Sequence, residues 1–477
     1  MKKSAVLAGS LVVAAAAYTG AAWYVGMEAE NTIRAAVDRA NQRIIKTLGP
    51  DVGSVGATLS IDAYQRGLFS SRARYTFTLQ DGDDRTQVTF EDHMQHGPFP
   101  WGLVSQGVWT PQLAWSRSQL VDTESVKRWF DAARGAMPVQ ADTRIGFGGR
   151  GKSAWRFAPL EWVSDDEQLS FSGGQVDVEF SNDFRDSDAQ GGFEQLTLGE
   201  GAGNTVVLRK IDLKSTTRTA SDESVKVDSR VDIGAMVMDA GISDALVLEG
   251  VAVTLDSTQK GEQLDAALRY DVRQLRVGEA SLGSITLGGQ VNRFNFDAFS
   301  KLISEYDAIA AEHGVEDDED FDLTPEDESR LLGRLVPLLA SSPAVAVQPV
   351  AWRNEQGEST LALNITFQPL PAGDAKAQEE ALPDSLKEMH LEIALSRPML
   401  MQAVSQASGG GEDGNEFAMF AALIYDGYIA QLEQQGVVRI ENDRALLSVR
   451  YENGEVNLNG ETMPVEEFLN LISEMEL

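Results

Sequence analysis

The chain of 477 residues contains no cysteine. That absence excludes disulfides, thiol nucleophiles, cysteine-ligated zinc and iron–sulfur clusters. The fold must therefore be stabilised by its apolar core, and a hydrophobic content of 43% is ample for a core at this length.

Basic residues are scarce: 40 lysines and arginines face 73 acidic residues, which gives a formal net charge of −33. A surface of this sign repels nucleic acid and anionic lipid headgroups, so neither is an expected partner of the bulk of the chain. The Gly-x-Ser-x-Gly elbow and the His-Glu-x-x-His helix are absent too, and no Gly-x-Gly-x-x-Gly stretch lies between a predicted strand and a predicted helix, as the dinucleotide fingerprint requires. We therefore expect a protein with no enzymatic activity and no cofactor.

The start of the chain is apolar. Lys2 and Lys3 precede a run from Ser4 to Met27 that contains no charged residue. As a helix this run would extend roughly 36 Å, which is enough to cross the hydrocarbon core of a bilayer. Because positive charge stays in the cytoplasm, the rest of the chain is expected outside it.

Within this expected anchor, the residues that we expect to contact the membrane are Leu11, Val12, Val13, Trp23 and Tyr24. The aromatic pair would lie at the far headgroup level, which favours a retained anchor. A cleaved signal peptide is the alternative, because small residues at 15–17 and 20–22 would suit a cleavage site.

Stretches with a period of two dominate the sequence after residue 49. Residues 69–79, 224–237 and 264–273 alternate apolar with polar side chains, as strands buried on one face do. No helical pattern separates neighbouring strands, so we expect an antiparallel meander with one solvated face. Asn453-Gly454 between two such stretches predicts a hairpin near the end of the chain.

The expected fold is α+β and β-rich: an N-terminal transmembrane helix, then an elongated antiparallel β-meander with peripheral helices. The expected divisions are an anchor at 1–27, a helical stalk at 28–48, a β-rich region at 49–295, a helical segment at 296–345 with an acidic loop at 315–328, and a C-terminal α+β region at 346–477. Helical spacing also predicts helices at 122–136, 396–407, 416–435 and 464–475.

The acidic run from Gly314 to Glu328 contains nine acidic residues. Its spacing does not fit the calcium loop of a helix–loop–helix site, because Leu323 and Ser329 stand where that loop needs glycine and glutamate. A solvated linker is the expected structure.

Two of the four histidines, His93 and His96, lie beside Asp92. On a helix they would suit a metal, whereas on a strand the two rings would point to opposite faces. The Gly-Pro-Phe-Pro that follows favours a loop with histidines satisfied by backbone groups, so a metal or general-base site is the less favoured interpretation. The glycine-rich stretch 144–151 lacks the helix start that a phosphate loop needs, and we interpret it as a bent strand.

Short stretches spread over the whole chain carry a family resemblance: Lys2-Lys3-Ser4, Ala22-Trp23-Tyr24, Tyr64-Gln65-Arg66-Gly67-Leu68-Phe69-Ser70-Ser71, His96-Gly97-Pro98-Phe99-Pro100, Arg144-Ile145-Gly146, Phe171-Ser172-Gly173-Gly174, Trp352-Arg353-Asn354-Glu355-Gln356-Gly357-Glu358-Ser359, Tyr451-Glu452-Asn453-Gly454 and Leu458-Asn459-Gly460. Together these stretches resemble the bacterial YdgA family, envelope proteins built on a domain of unknown function. The resemblance implies a single-pass protein of the bacterial inner membrane with its bulk in the periplasm, and allows a homo-oligomer. It brings no catalytic residue.

Three functions remain open. The leading hypothesis is a non-enzymatic envelope protein that binds another envelope protein or assists assembly. The second is a carrier of lipid or another amphiphile, with an apolar groove formed by the strands. The third is a hydrolase that uses His93 or His96 with Asp92. Whether the apolar strand faces meet each other or line an open groove decides between the first two.

Overall fold

The computed structural model describes Asn41 and residues 55–66, 70–81, 84–96, 99–164, 167–182, 185–200, 204–241, 244–314, 321–371, 373 and 375–473. The expected anchor at 1–27 lies outside these residues, and so does the expected stalk at 28–48 apart from Asn41. Among the residues that are described, no helix is both long enough and apolar enough to cross a membrane.

Contacts divide the chain into two compact units. The first comprises the described residues of Met1–Gly199, Lys210–Ser229 and Ser300–Asp318. The second comprises those of Glu200–Arg209, Arg230–Phe299 and Glu319–Leu477.

The first unit is an antiparallel sheet. Its strands are β1 (Val55–Arg66), β2 (Ser70–Asp81), β3 (Asp84–His96), β4 (Ala114–Leu120), β5 (Val139–Ile145), β6 (Gly151–Phe157), β7 (Leu160–Val163), β8 (Glu167–Phe171), β9 (Gly174–Phe180) and β10 (Ser187–Glu200). Its short helices are α1 (Trp101–Val104) and α2 (Lys127–Ala132), the latter preceded by a 3-10 turn at Glu124–Val126. Neighbouring strands pair in chain order from β1 to β6, after which β6 pairs with β9 and β9 with β10.

The inward side chains of β1 to β6 and β9 form one closed core. Tyr75, Phe90, Met94 and Trp155 are among its large members, and the ring centroids of Phe90 and Trp155 lie 6.0 Å apart in an edge-to-face arrangement. The strands alternate buried and exposed residues, as expected when only one face of a sheet is covered.

Twelve more strands follow in the described residues, and the first five of them have 15 or 16 residues each. They are β11 (Asn204–Thr219), β12 (Val225–Asp239), β13 (Leu246–Lys260), β14 (Gln263–Val277), β15 (Ala280–Asn295), β16 (Ala344–Asn354), β17 (Gly357–Phe367), β18 (Leu386–Ser396), β19 (Arg439–Glu441), β20 (Arg444–Glu452), β21 (Glu455–Leu458) and β22 (Glu461–Pro464). In the second unit, β13 to β18 pair antiparallel in chain order, β18 pairs with β20, and β20 to β22 continue the meander. The predicted antiparallel β-meander is confirmed.

The remaining helices are α3 (Phe296–Glu312), α4 (Pro325–Leu339), α5 (Ala375–Glu380), α6 (Arg397–Ala407), α7 (Gly411–Gln434) and α8 (Val465–Ser473), with a 3-10 turn at Pro383–Ser385. Each helix predicted after residue 121 has a counterpart, although the one expected at 122–136 is only the 3-10 turn and α2. The predicted hairpin near the end of the chain is present. Asn453 and Gly454 both have positive φ, as the two central residues of a type I′ turn require.

Two local expectations were wrong. Residues 146–150 form the turn between β5 and β6 instead of a bent strand, because Gly146 N donates to Arg150 O at 3.0 Å and closes the hairpin. The stretch with His93 and His96 belongs to β3 and not to a loop, because pairing with β2 on one side and β4 on the other extends the strand to His96.

The acidic loop ends earlier than expected, since α4 begins at Pro325.

Candidate functional site: an open apolar face of the second unit

A row of apolar side chains crosses seven strands of the second unit. Its members, each paired with the next across neighbouring strands, are Val253, Tyr270, Leu287, Val350, Leu361, Ile393 and Leu447. Since residues two apart on a strand share a face, the flanking rows lie on the same side of the sheet. Leu255 pairs with Leu268 in one flanking row, and Val251 pairs with Val272 in the other.

Part of this face is uncovered. Leu255, Leu268, Tyr270, Leu287 and Val347 are between 36% and 46% exposed, although each points to the apolar side of the sheet. We call these five side chains the open apolar face. A covered sheet buries such positions almost completely, as the first unit does, so this surface is an apolar area that meets solvent.

The other end of the same sheet face is covered by helices. Ile429 of α7 packs with Val438 and Ala445, and Leu447 of the apolar row packs against that cluster. Further along, Phe468 of α8 packs on the cluster of Val449, Val456 and Leu458. The apolar face is therefore covered over β18 and β20 to β22, and exposed at the five side chains of β13 to β16 named above.

The opposite side of the strands is polar. Arg269 donates two hydrogen bonds of 2.7 Å to Asp271, which also accepts one of 2.8 Å from Thr286. The hydrogen bonds from Arg269 lower the pKa of Asp271, with a smaller contribution from Thr286. Arg230 and Asp232 form a similar pair on β12. These ion pairs lie two residues apart on one strand, which confirms the alternation expected from the sequence.

The open apolar face has the chemistry of a binding surface for hydrocarbon. In the row of seven strands, only Tyr270 carries a polar atom, its hydroxyl. Covering the face would remove apolar area from water at about 25 cal/mol per Å². Such a surface holds an apolar ligand without directional bonds, so it selects for apolar length more than for a particular headgroup.

Helix α7 carries a second exposed apolar surface. Its side chains that are 60% to 67% exposed are Phe417, Met419, Phe420, Leu423 and Ile424. The far half of the helix is anchored by Ile429 and Leu432 in the cluster described above. The first half of α7 therefore presents large apolar side chains to solvent.

The predicted histidines do not form a site. His93 lies on the exposed face of β3, where Arg72 Nε donates to its Nε2 at 3.4 Å, and His96 lies on the other face, 3.1 Å from Ser71 Oγ. The two rings thus point to opposite faces, as a strand requires. Within the described ranges, no group of three or more His, Asp or Glu side chains is placed to hold a metal ion.

Asp92 is the unexpected member of this region. It is fully buried between the core residues of β2 and β4, and its Oδ1 accepts a hydrogen bond of 2.8 Å from Ser118. Burial raises the pKa of Asp92 to about 6, although the bond from Ser118 lowers it. His96 shares its face of β3, but four residues of strand separate them by roughly 13 Å. The structure does not bring Asp92 to either histidine as a catalytic pair.

Sequence reasoning missed two features. Asp92 falls in the alternating series of Val88, Phe90 and Met94, and this period was the available signal for its burial. The open apolar face was predicted only as one of two outcomes, because alternation identifies a face without saying what covers it.

The comparisons with known proteins follow the whole length of the chain. A family model described as "Bacterial protein of unknown function (DUF945)" matches residues 1–466. The chain is 25% identical to protein YdgA of Escherichia coli K12, over 99% of this chain and 97% of that protein. It is also 25% identical to the uncharacterized protein YihF of the same organism, over 98% of both. An uncharacterized protein of Haemophilus influenzae is 20% identical over 65% of this chain and 87% of its own length. No solved structure matches the chain.

Proposed function

The chain belongs to the DUF945 family of bacterial proteins of unknown function, and we propose that it is a non-enzymatic protein of the cell envelope that binds an amphiphile on the open apolar face. The observation that carries the proposal is the exposure of Leu268, Tyr270 and Leu287 on the apolar side of a seven-strand row. Apolar patches of this kind mark sites for ligands, membranes or partner proteins.

The dimensions of the sheet favour an acyl chain. The open apolar face crosses β13 to β16, three strand spacings of about 4.8 Å or roughly 14 Å in all, which is close to half of the ~30 Å hydrocarbon core of a bilayer, the depth of one leaflet. One extended acyl chain therefore fits along the open end of the face. Burial contributes about 0.8 kcal/mol for each methylene group, so a few covered groups suffice for measurable binding.

The proposed location is the bacterial inner membrane, with the bulk of the chain in the periplasm. Its support is the apolar run 4–27 behind Lys2 and Lys3. Fractionation of cells that produce the chain with and without residues 1–27 tests this location. Loss of the membrane-bound fraction on deletion supports it, and an unchanged membrane-bound fraction contradicts it.

The binding itself is tested with two variants of neighbouring residues. Leu268→Lys places a charge on the open apolar face, and Ala267→Lys places the same charge on the opposite side of β14, across from Asp256. The full chain is purified in a mild detergent, and bound lipid is extracted and identified by mass spectrometry. Binding of a pyrene-labelled phosphatidylethanolamine is then titrated by fluorescence.

We expect lipid with the wild type and with Ala267→Lys, and at least a fivefold lower amount with Leu268→Lys. A desolvated lysine on an acyl chain is unfavourable by several kcal/mol, whereas the control charge stays in water. Absence of lipid from the wild type, or equal lipid on both variants, would contradict the proposal. A shift of the wild type to a defined dimer without lipid would instead favour a protein partner for this face.

A further inference from the structure

The first unit contains a cleft of about 580 Å³ on the solvent side of β5, β6 and β9. Its charged lining includes Arg144, Arg150, Lys152 and Arg218, with the carboxylates of Glu179 and Asp188 beside them. In a chain with 73 acidic and 40 basic residues, a cleft with this many cations reverses the local sign of the surface.

The strand register forces the cations together. Arg144 at the end of β5 is paired directly with Lys152 on β6. Arg150 ends the hairpin turn, two residues before Lys152, and lines the same cleft. Like charges directly opposite each other destabilise a sheet unless another charge offsets them. The hairpin turn is closed by the bond from Gly146 N to Arg150 O, which fixes the spacing of the arginines along the backbone.

The carboxylates nearby are already engaged. Glu179 forms an ion pair with Lys152, and Asp188 accepts from Arg218 at 2.6 Å. The third carboxylate of the lining, Asp186, accepts from Thr219 N at 3.2 Å. Among the residues that the structure describes, Arg144 and Arg150 have no ion-pair partner, and both side chains are exposed to the cleft's solvent. Two guanidinium groups are therefore available to a ligand.

We propose that this cleft binds a small solute through an anionic phosphate or carboxylate group held by Arg144 and Arg150. A guanidinium offers paired N–H donors that match the oxygens of either group, and two of them bind such a group more tightly than one. The volume exceeds that of an inorganic ion and lies within the range of small-molecule sites. The net charge of the chain does not prevent binding, because charges beyond about 8 Å are screened at physiological salt.

This site is independent of the open apolar face, which belongs to the other unit.

The test uses the full chain purified in detergent, titrated by isothermal calorimetry with inorganic phosphate in one series and citrate in another, at constant ionic strength. The variant is Arg144→Gln with Arg150→Gln. The control is Arg156→Gln, which removes an arginine from β6, on the same face as Lys152 but outside the cleft, where it pairs with Asp142.

We expect saturable binding of at least one probe by the wild type and by Arg156→Gln, and a loss of at least tenfold in affinity for the double variant. The ratio of the two affinities identifies whether phosphate or carboxylate is preferred. A third variant, Arg144→Lys with Arg150→Lys, keeps the positive charges but loses the paired N–H donors of the guanidinium groups. We therefore expect it to bind with intermediate affinity. The absence of saturable binding of both probes, or undiminished binding by the double glutamine variant, would overturn the proposal. Urea unfolding of each variant separates a lost site from a lost fold.

Discussion

The hydroxyl of Ser118 on β4 donates a hydrogen bond of 2.8 Å to Oδ1 of Asp92 on β3, in the interior of the first unit. Both side chains are almost completely buried, and Oδ2 of Asp92 has no hydrogen-bond partner in the described part of the chain. A carboxylate buried this completely is poorly compensated for the loss of water. The stability of this unit should therefore depend on the protonation of Asp92.

Asp92→Asn should stabilise the protein relative to the wild type, and this gain should be larger at alkaline pH than at acid pH. Burial raises the pKa of Asp92 from 3.8 to about 6, so the folded chain keeps a proton that the unfolded chain releases. The contribution of this residue to the free energy of unfolding is full below about pH 4 and is lost as the pH rises through about 6. We expect the gain of the variant to be about 2 kcal/mol larger at pH 8 than at pH 4.5, from urea unfolding at both values.

The control for this prediction is Asp131→Asn. Asp131 is an exposed residue of α2 in a loose pair with Lys127, so its replacement should change stability equally at both values of pH. An Asp92→Asn variant whose advantage did not change with pH would show that Asp92 does not titrate as described.

Gly283→Ala should destabilise the second unit more than Gly261→Ala. Both glycines have positive φ, which costs a residue with a side chain about 1–2 kcal/mol. A Cβ on Gly283 would also overlap the carbonyl of Arg353 on β16, whereas none of the atoms around Gly261 lies within 4 Å of such a Cβ. We expect a loss of about 1 kcal/mol for Gly261→Ala and at least about 3 kcal/mol for Gly283→Ala, from chemical unfolding. Equal losses would mean that β15 and β16 separate at this point without cost.

Phe417→Ser with Phe420→Ser should leave the stability of the chain within about 0.5 kcal/mol of the wild type. Both rings are more than 60% exposed on α7, so their removal takes little apolar area from the core. Binding of a hydrophobic dye to the protein should fall. The matched control is Ile429→Ala on the same helix, which opens a cavity in a buried cluster and should cost about 2–5 kcal/mol. A comparable loss for the serine variant would mean that the first half of α7 is covered in solution.

Thr324→Ala should lower stability by about 1 kcal/mol, and Thr324→Ser should restore most of it. Thr324 is the N-cap of α4: its hydroxyl accepts from Asp327 N at 3.3 Å, and its own N–H donates to the Asp327 carboxylate at 3.0 Å. Serine keeps the hydroxyl and alanine leaves the donor of Asp327 unsatisfied. Thermal unfolding of the three proteins measures the difference, and an alanine variant as stable as the wild type would contradict the role of the cap.

The local pattern of the sequence was sufficient wherever one short segment decides the structure. The stretch 264–273 was expected to be a strand with one wet face, and it lies within β14 with Arg269 and Asp271 paired on that face. Asn453 and Gly454 form the predicted turn, since few other residue pairs accept positive φ twice. Such features depend on neighbours within a few residues.

Prediction failed where distant segments compete with a local signal. His93 and His96 were expected in a loop because of the prolines that follow, but pairing with β2 and β4 extends the strand through both residues. Asp92 shows the same effect, because its charge would predict exposure while its position in the alternating series places it in the core.

The sequence by itself determined the alternation that gives each strand an apolar and a polar side, since that period follows from the geometry of a single extended chain. The tertiary structure alone decided that the apolar side is closed in the first unit and open at Leu268, Tyr270 and Leu287 in the second. The reason is that burial depends on what packs against a face: α7 and α8 cover the apolar side of β18 and β20 to β22, whereas these three side chains on β14 and β15 stay exposed. In the same way, only the pairing of β5 with β6 brought Arg144 opposite Lys152.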